Sequence, residues 1–115
     1  MKKDPRVYLL HIRDALSCIE RYTKKGEASF FSDEKTQDAV IYNLAIIGEA
    51  VKKLPKSLRE EYASIPWKKI AGMRDVVIHD YDSTEIPKIW NVVHRDLPVL
   101  RETIEKLLEE HPSKE

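Results

Sequence analysis

The chain predicts an all-α fold on three observations. Apolar residues recur at three- and four-residue steps along long segments, no segment shows the strict alternation of a half-buried strand, and helix-start and helix-stop residues fall at the ends of the periodic runs. Isolated amphipathic helices are marginal in water, so these stripes must pack on one another. The expected architecture is an antiparallel bundle of four main helices plus a short one, in a single domain covering residues 1–115.

The first helix starts at Asp4-Pro5, where a carboxylate can accept from free backbone amides and the proline's missing N–H costs nothing. Leu9, Ile12, Leu16 and Ile19 form its apolar stripe, and Gly26 is the expected stop. After Ser32 a second long helix carries Val40, Leu44, Ile47, Val51 and Leu54 at alternating steps of four and three, ending at Pro55. Between Pro55 and Pro66 the peptide KSLREEYASI holds only a short helix, and Trp67 to Tyr81 reads as a third substantial one. Beyond Asp82 and Ser83, a last stripe runs through Ile86, Ile89, Val93, Leu97, Leu100, Ile104 and Leu107, with Pro98 inside it as an expected kink.

Composition narrows the classes of function. Charges scattered through MKKDPRVYLLHIRD are unlike a secretory signal, and the uncharged runs are far shorter than a membrane span, so no membrane association is expected. One cysteine, Cys18, allows neither an intrachain disulfide nor a cysteine zinc cluster, which suits a cytosolic address. No spacing of His, Asp, Glu and Cys suggests a metal site, and no cofactor is expected. Twenty basic residues balance twenty acidic ones, but from Lys52 to Arg74 seven basic residues face only Glu60 and Glu61. Such a run is either a solvated face or a patch able to attract a polyanion.

The segment IPWKKIAGMRDVVIHDY, residues 65–81, holds the residues on which any chemistry must rest: Arg74, His79 and Tyr81. An imidazole exchanges protons near neutral pH, and a guanidinium can hold two phosphate oxygens in a planar fork. On a helical wheel Ile70, Met73, Val77 and Tyr81 share one stripe and His79 points away from it, so His79 is either a solvated surface histidine or a working one. Arg74 and His79 stand five residues apart, about 140° and about 7.5 Å on an ideal helix, so a single phosphate is reached by both only with help from the long arginine, a fraying helix end or a second subunit. Asp75, four residues before His79, can orient the ring or form a routine helix pair. The spacing alone is weak evidence, since Arg6 and His11 repeat it in RVYLLH.

What distinguishes the second occurrence is its surroundings. The blocks YNLAIIGEAVKKLP, IPWKKIAGMRDVVIHDYDS and IWNVVHRDLPVLRETIEKL, in this order and spacing, resemble the small HepT-like proteins of the HEPN superfamily, toxins paired with a minimal nucleotidyltransferase antitoxin. The resemblance spans nearly the whole chain. It implies a HEPN-type bundle, a homodimer with the motif arginine and histidine lining an interface cleft, and metal-independent ribonuclease activity. It places Arg74 and His79 as the catalytic pair, Asp75 as the polar position after the arginine, and Tyr81 as the tyrosine that the partner adenylylates to silence the toxin. The neighbouring Lys68 and Lys69 become candidates for RNA binding.

On this reading the 2′-hydroxyl of RNA attacks the adjacent phosphorus, with His79 as base or acid and Arg74 steadying the phosphoryl charge. A competing reading keeps the bundle, the partner and Tyr81 but makes the chain a non-catalytic module that dimerises and binds the nucleotidyltransferase. A purely structural helical adaptor leaves Arg74 and His79 without a purpose. Among other residues, His94 is either an auxiliary proton carrier or a surface histidine. Glu49 faces a cleft or pairs with a lysine, and Asn43 serves a buried polar network. Trp67 and Trp90 are core or interface anchors, or platforms on which bases stack.

Overall fold

The computed structural model describes residues 4–72 and 86–111. All regular structure among them is helical: α1 (Pro5–Tyr22), α2 (Glu27–Ser32), α3 (Glu34–Lys52), α4 (Lys56–Glu61), α5 (Trp67–Ala71), α6 (Ile86–Asn91), a π-helical turn (Val92–Asp96) and α7 (Leu97–Glu110). The all-α helical fold expected from the sequence is what the chain adopts.

Both long N-terminal helices start where side-chain chemistry dictates. Asp4 Oδ1 accepts from the Arg6 amide at 3.0 Å with Pro5 in the first turn. Asp33 accepts from the Lys35 amide at 3.1 Å and from the Thr36 hydroxyl at 2.8 Å, opening α3. The Thr36 hydroxyl above all holds the Asp33 carboxyl below its ordinary value. The stripes of α1 and α3 are buried as their periodicity predicts. Helix α3 also buries Ile41, Asn43, Gly48 and Ala50, which makes it the central helix, packed by α1 on one side and α5 on another.

Between α1 and α3 lies a helix the periodicity did not predict. Gly26 adopts φ +95°, a left-handed conformation that only a residue without Cβ takes without strain, and the chain turns there into α2. Six residues are too few to show a helical repeat. The element is instead held by Phe30, which is fully buried and packs against Trp90 with ring centroids 5.1 Å apart.

Pro98 distorts the last helical stretch in a specific way. Its ring cannot donate to the carbonyl four residues back and crowds it, and the preceding turn widens so that the Leu97 amide donates to the carbonyl of Val92, five residues before it. The wide turn brings Val92 to the inner face and leaves Val93 only partly buried, the reverse of what an unbroken α-helical stripe predicts.

Two polar clasps close the bundle. Arg101 on α7 forks onto Glu20 of α1, with Nε 2.9 Å from Oε2 and an Nη 2.7 Å from Oε1. Its remaining donors take Ser17 and Glu105, each at 2.9 Å. The hydrogen bonds it donates, to Glu20 above all and also to Glu105, hold the guanidinium charge more firmly than an isolated arginine's. At the other end Arg6 donates to the carbonyls of Leu108 and His111, the unmatched acceptors at the C-terminal end of α7.

Candidate nucleic-acid interface

Helix α5 is seated by its apolar side chains. Trp67 and Ile70 are buried, and the Trp67 indole N–H donates to the Tyr62 carbonyl at 3.0 Å. With its ring in the core and its polar edge matched, Trp67 is a structural anchor rather than a platform for bases. Burying these two residues turns the intervening Lys68 and Lys69 outward, and both are exposed.

The two lysines differ in their surroundings. Lys69 Nζ lies 2.8 Å from Asp96 Oδ2 on the π-helical turn, so this cation is already matched by a carboxylate. The contact is an ion pair without the alignment of a hydrogen bond, since the Oδ2 atom is buried with no hydrogen-bond partner among the described residues. Lys68 is thus the better placed of the pair to meet an external phosphate. A Cβ at Gly72 would touch the carbonyl oxygens of Lys68 and Lys69 at 3.4 Å, an ordinary contact, so among the described residues nothing demands glycine there.

Beside α5 runs an open groove of about 960 Å³ whose floor is apolar, including Ile65, Pro66 and Trp67, and whose rim carries Lys56, Arg59, Lys68 and Lys69 against Glu60. Two of these cations come from α4. The sequence showed the local excess of positive charge, but only the turn between α4 and α5 brings Lys56 and Arg59 to face the α5 lysines.

Arg74, Asp75, His79 and Tyr81 lie outside the described residues, so the geometry of the proposed pair and of the motif tyrosine is not on view. The look-alike pair on α1 is on view and is structural. Arg6 is committed to the end of α7, and exposed His11 sits edge-on to Tyr8, ring centroids 6.3 Å apart. Exposed His94 stacks on Trp90, ring centroids 6.1 Å and planes 11° apart. Asn43 donates to the Ala39 carbonyl of its own helix at 2.9 Å. Glu49 is partly buried on α3. Among the described residues no three His, Cys, Asp or Glu side chains gather as metal ligands, and no helix is long and apolar enough to cross a membrane.

Comparison with known proteins decides the family. Residues 12–107 match the Ribonuclease HepT-like family. This chain belongs to the HepT-like ribonuclease family. Among HepT-like relatives, a Methanocaldococcus jannaschii protein named "Gamma-glutamylcyclotransferase and putative RNase" is 48% identical over 96% of this chain, which spans about half (50%) of that relative's length. A Caldanaerobacter subterraneus protein named "Putative RNase" is 40% identical over 93% of this chain and 96% of its own. A Thermococcus cleftensis protein named "Probable ribonuclease HepT" is 40% identical over 93% of this chain and 98% of its own. No solved structure matches the chain.

Proposed function

We propose that this chain is a metal-independent endoribonuclease and the toxin of a toxin–antitoxin pair, acting in the cytoplasm as a homodimer. The observation that carries the ribonuclease reading is membership of the HepT-like family, whose match spans the segment holding Arg74 and His79. The 40% identical relatives of matching length, named as ribonucleases, support it.

RNA supplies its own nucleophile, so the reaction needs only proton transfer and charge stabilisation. The O2′ atom loses its proton to a base and bonds to phosphorus. The P–O5′ bond breaks, and the leaving O5′ takes a proton from an acid. The products are a 2′,3′-cyclic phosphate and a 5′-hydroxyl. His79 fills one of these proton-transfer roles, worth typically about 10²- to 10⁴-fold, and the partner's copy of the ring can fill the other. Arg74 stabilises the extra negative charge on the phosphoryl oxygens as it builds. Asp75 orients the His79 ring and favours its charged form.

Tyr81 stands two residues from His79. Adenylylation by a cognate nucleotidyltransferase would place a negative phosphate and a nucleoside beside the catalytic pair and repel RNA. Replacing Tyr81 by Phe is expected to leave a toxin that the nucleotidyltransferase no longer silences.

The deciding experiment incubates the pure, unmodified protein and its His79→Ala variant with RNA in EDTA and identifies the new ends. Cleavage by the wild type alone, with cyclic phosphate ends, is the expected result. A folded, unmodified wild type that cuts no RNA class moves the assignment to a non-catalytic module that binds the nucleotidyltransferase.

A further inference from the structure

We propose that the α4–α5 groove is a sequence-independent track for the phosphate backbone of single-stranded RNA, with Lys56, Arg59 and Lys68 as its phosphate-binding residues. The choice of RNA as ligand rests on the ribonuclease reading above. The location rests on the groove itself.

Four cations and one carboxylate line the rim, and their own partners leave most of the positive charge unspent. Lys56 Nζ is 3.9 Å from Glu60 Oε1, with both side chains largely in solvent at 83% and 66% exposure, a contact worth little. Arg59 Nε is buried with no hydrogen-bond partner, and among the described residues no hydrogen bond or ion pair holds this guanidinium as Glu20 holds that of Arg101. Lys69 is matched by Asp96 and is therefore left out of the phosphate set.

The floor argues for a single strand. Ala63, Pro66 and Ala71 are the accessible part of an apolar lining completed by buried Ile65 and Trp67, a strip along which the sugars of an unpaired strand can lie while the rims hold phosphates. Position adds to this. The groove is built on α5, and in the sequence Arg74 follows Gly72, at the end of that helix, by two residues, so a strand held at Lys68 lies near the point where the segment carrying Arg74 and His79 begins.

The test uses a 2′-O-methyl oligoribonucleotide, which binds but cannot be cut by 2′-hydroxyl attack, and reads the slope of log affinity against log salt. Each phosphate contact on a single strand contributes about 0.7 to that slope. The Lys56→Ala/Arg59→Ala variant is therefore expected to lose about 1.4 units of slope and Lys68→Ala about 0.7. The charge-keeping Lys56→Arg/Arg59→Lys variant retains the wild-type slope.

A matched control, Lys24→Ala/Lys25→Ala, removes two exposed cations outside the groove and is expected to leave the slope in place. An unchanged slope in the groove variants, an equal loss in the control, or no binding by the wild type overturns the track. Unchanged RNA binding in the groove variants would hand the groove to an acidic protein surface instead.

Cleavage of unmodified RNA, measured separately, keeps the two ideas apart. Cutting with an unchanged slope sinks the track and spares the ribonuclease. A reduced slope without cutting does the opposite.

Discussion

Lys69 on α5 and Asp96 on the π-helical turn meet at 2.8 Å, joining the helix that precedes the Arg74 segment to the last helical stretch. The Asp96 side chain is 18% exposed and the Lys69 side chain 52%, so the carboxylate has lost far more water than the ammonium. Removing the lysine leaves a poorly hydrated charge behind, whereas removing both charges does not. Lys69→Ala is expected to cost about 1 kcal/mol after allowance for the exposed ammonium, and adding Asp96→Asn should recover part of the loss. Urea denaturation of the two single variants and the double variant measures the coupling, and strictly additive effects would show that the pair contributes nothing.

Arg101 joins α7 to α1 through its fork on Glu20, and a lysine cannot reproduce two parallel donors. With Glu20 and Glu105 half in solvent, Arg101→Ala should lower stability by about 1 kcal/mol. Arg101→Lys should recover less than half of that. Thermal melts of the three proteins check the order, and full recovery by lysine would reduce the fork to a simple charge contact.

The pH dependence of α3 follows from its first cap. The folded chain holds Asp33 below its ordinary value of about 3.8, so its contribution is fully present above that value and is lost as pH falls through the lower folded value. Acid titration of an Asp33→Asn variant should therefore show a shallower loss of stability below pH 3.8 than the wild type. Identical acid limbs would mean that the cap is equally well made without the charge.

Arg6 and His11 share the spacing of Arg74 and His79 but none of the proposed chemistry. Arg6→Ala and His11→Ala should leave RNA cleavage within about twofold of wild type, while Arg74→Ala and His79→Ala each cost about 10²-fold or more. Arg6→Ala should also fray the end of α7, visible as faster amide exchange around residues 108–111. Loss of cleavage on removing His11 would overturn the assignment of the catalytic pair.

How much of this was legible in advance depended on the range of the interaction. The buried stripes of α1 and α3 follow from steps of three and four along the chain, and the Asp4 cap from a side chain two residues from the amide whose hydrogen bond it accepts. Helix α2 escaped because a six-residue element has no repeat to read. The inward turn of Val92 escaped because Pro98 acts on the helix geometry before it, which a fixed 3.6-residue wheel does not allow for. The family was legible because three motif blocks keep their order and spacing, and the match over residues 12–107 bears that out.

By itself the sequence determined the helical class, the main helix starts and the family, since capping, periodicity and motif spacing are properties of neighbours along one chain. The tertiary structure decided which charges are still available to a ligand. Arg6 and Lys69 look as available as Lys56 or Arg59 in a one-dimensional reading, yet partners 27 to 105 residues away commit the first two. The turn between α4 and α5 leaves the latter pair on the rim of a groove. Charge pairing acts through space over a few ångströms, so only the folded arrangement sorts structural cations from those left to meet phosphate.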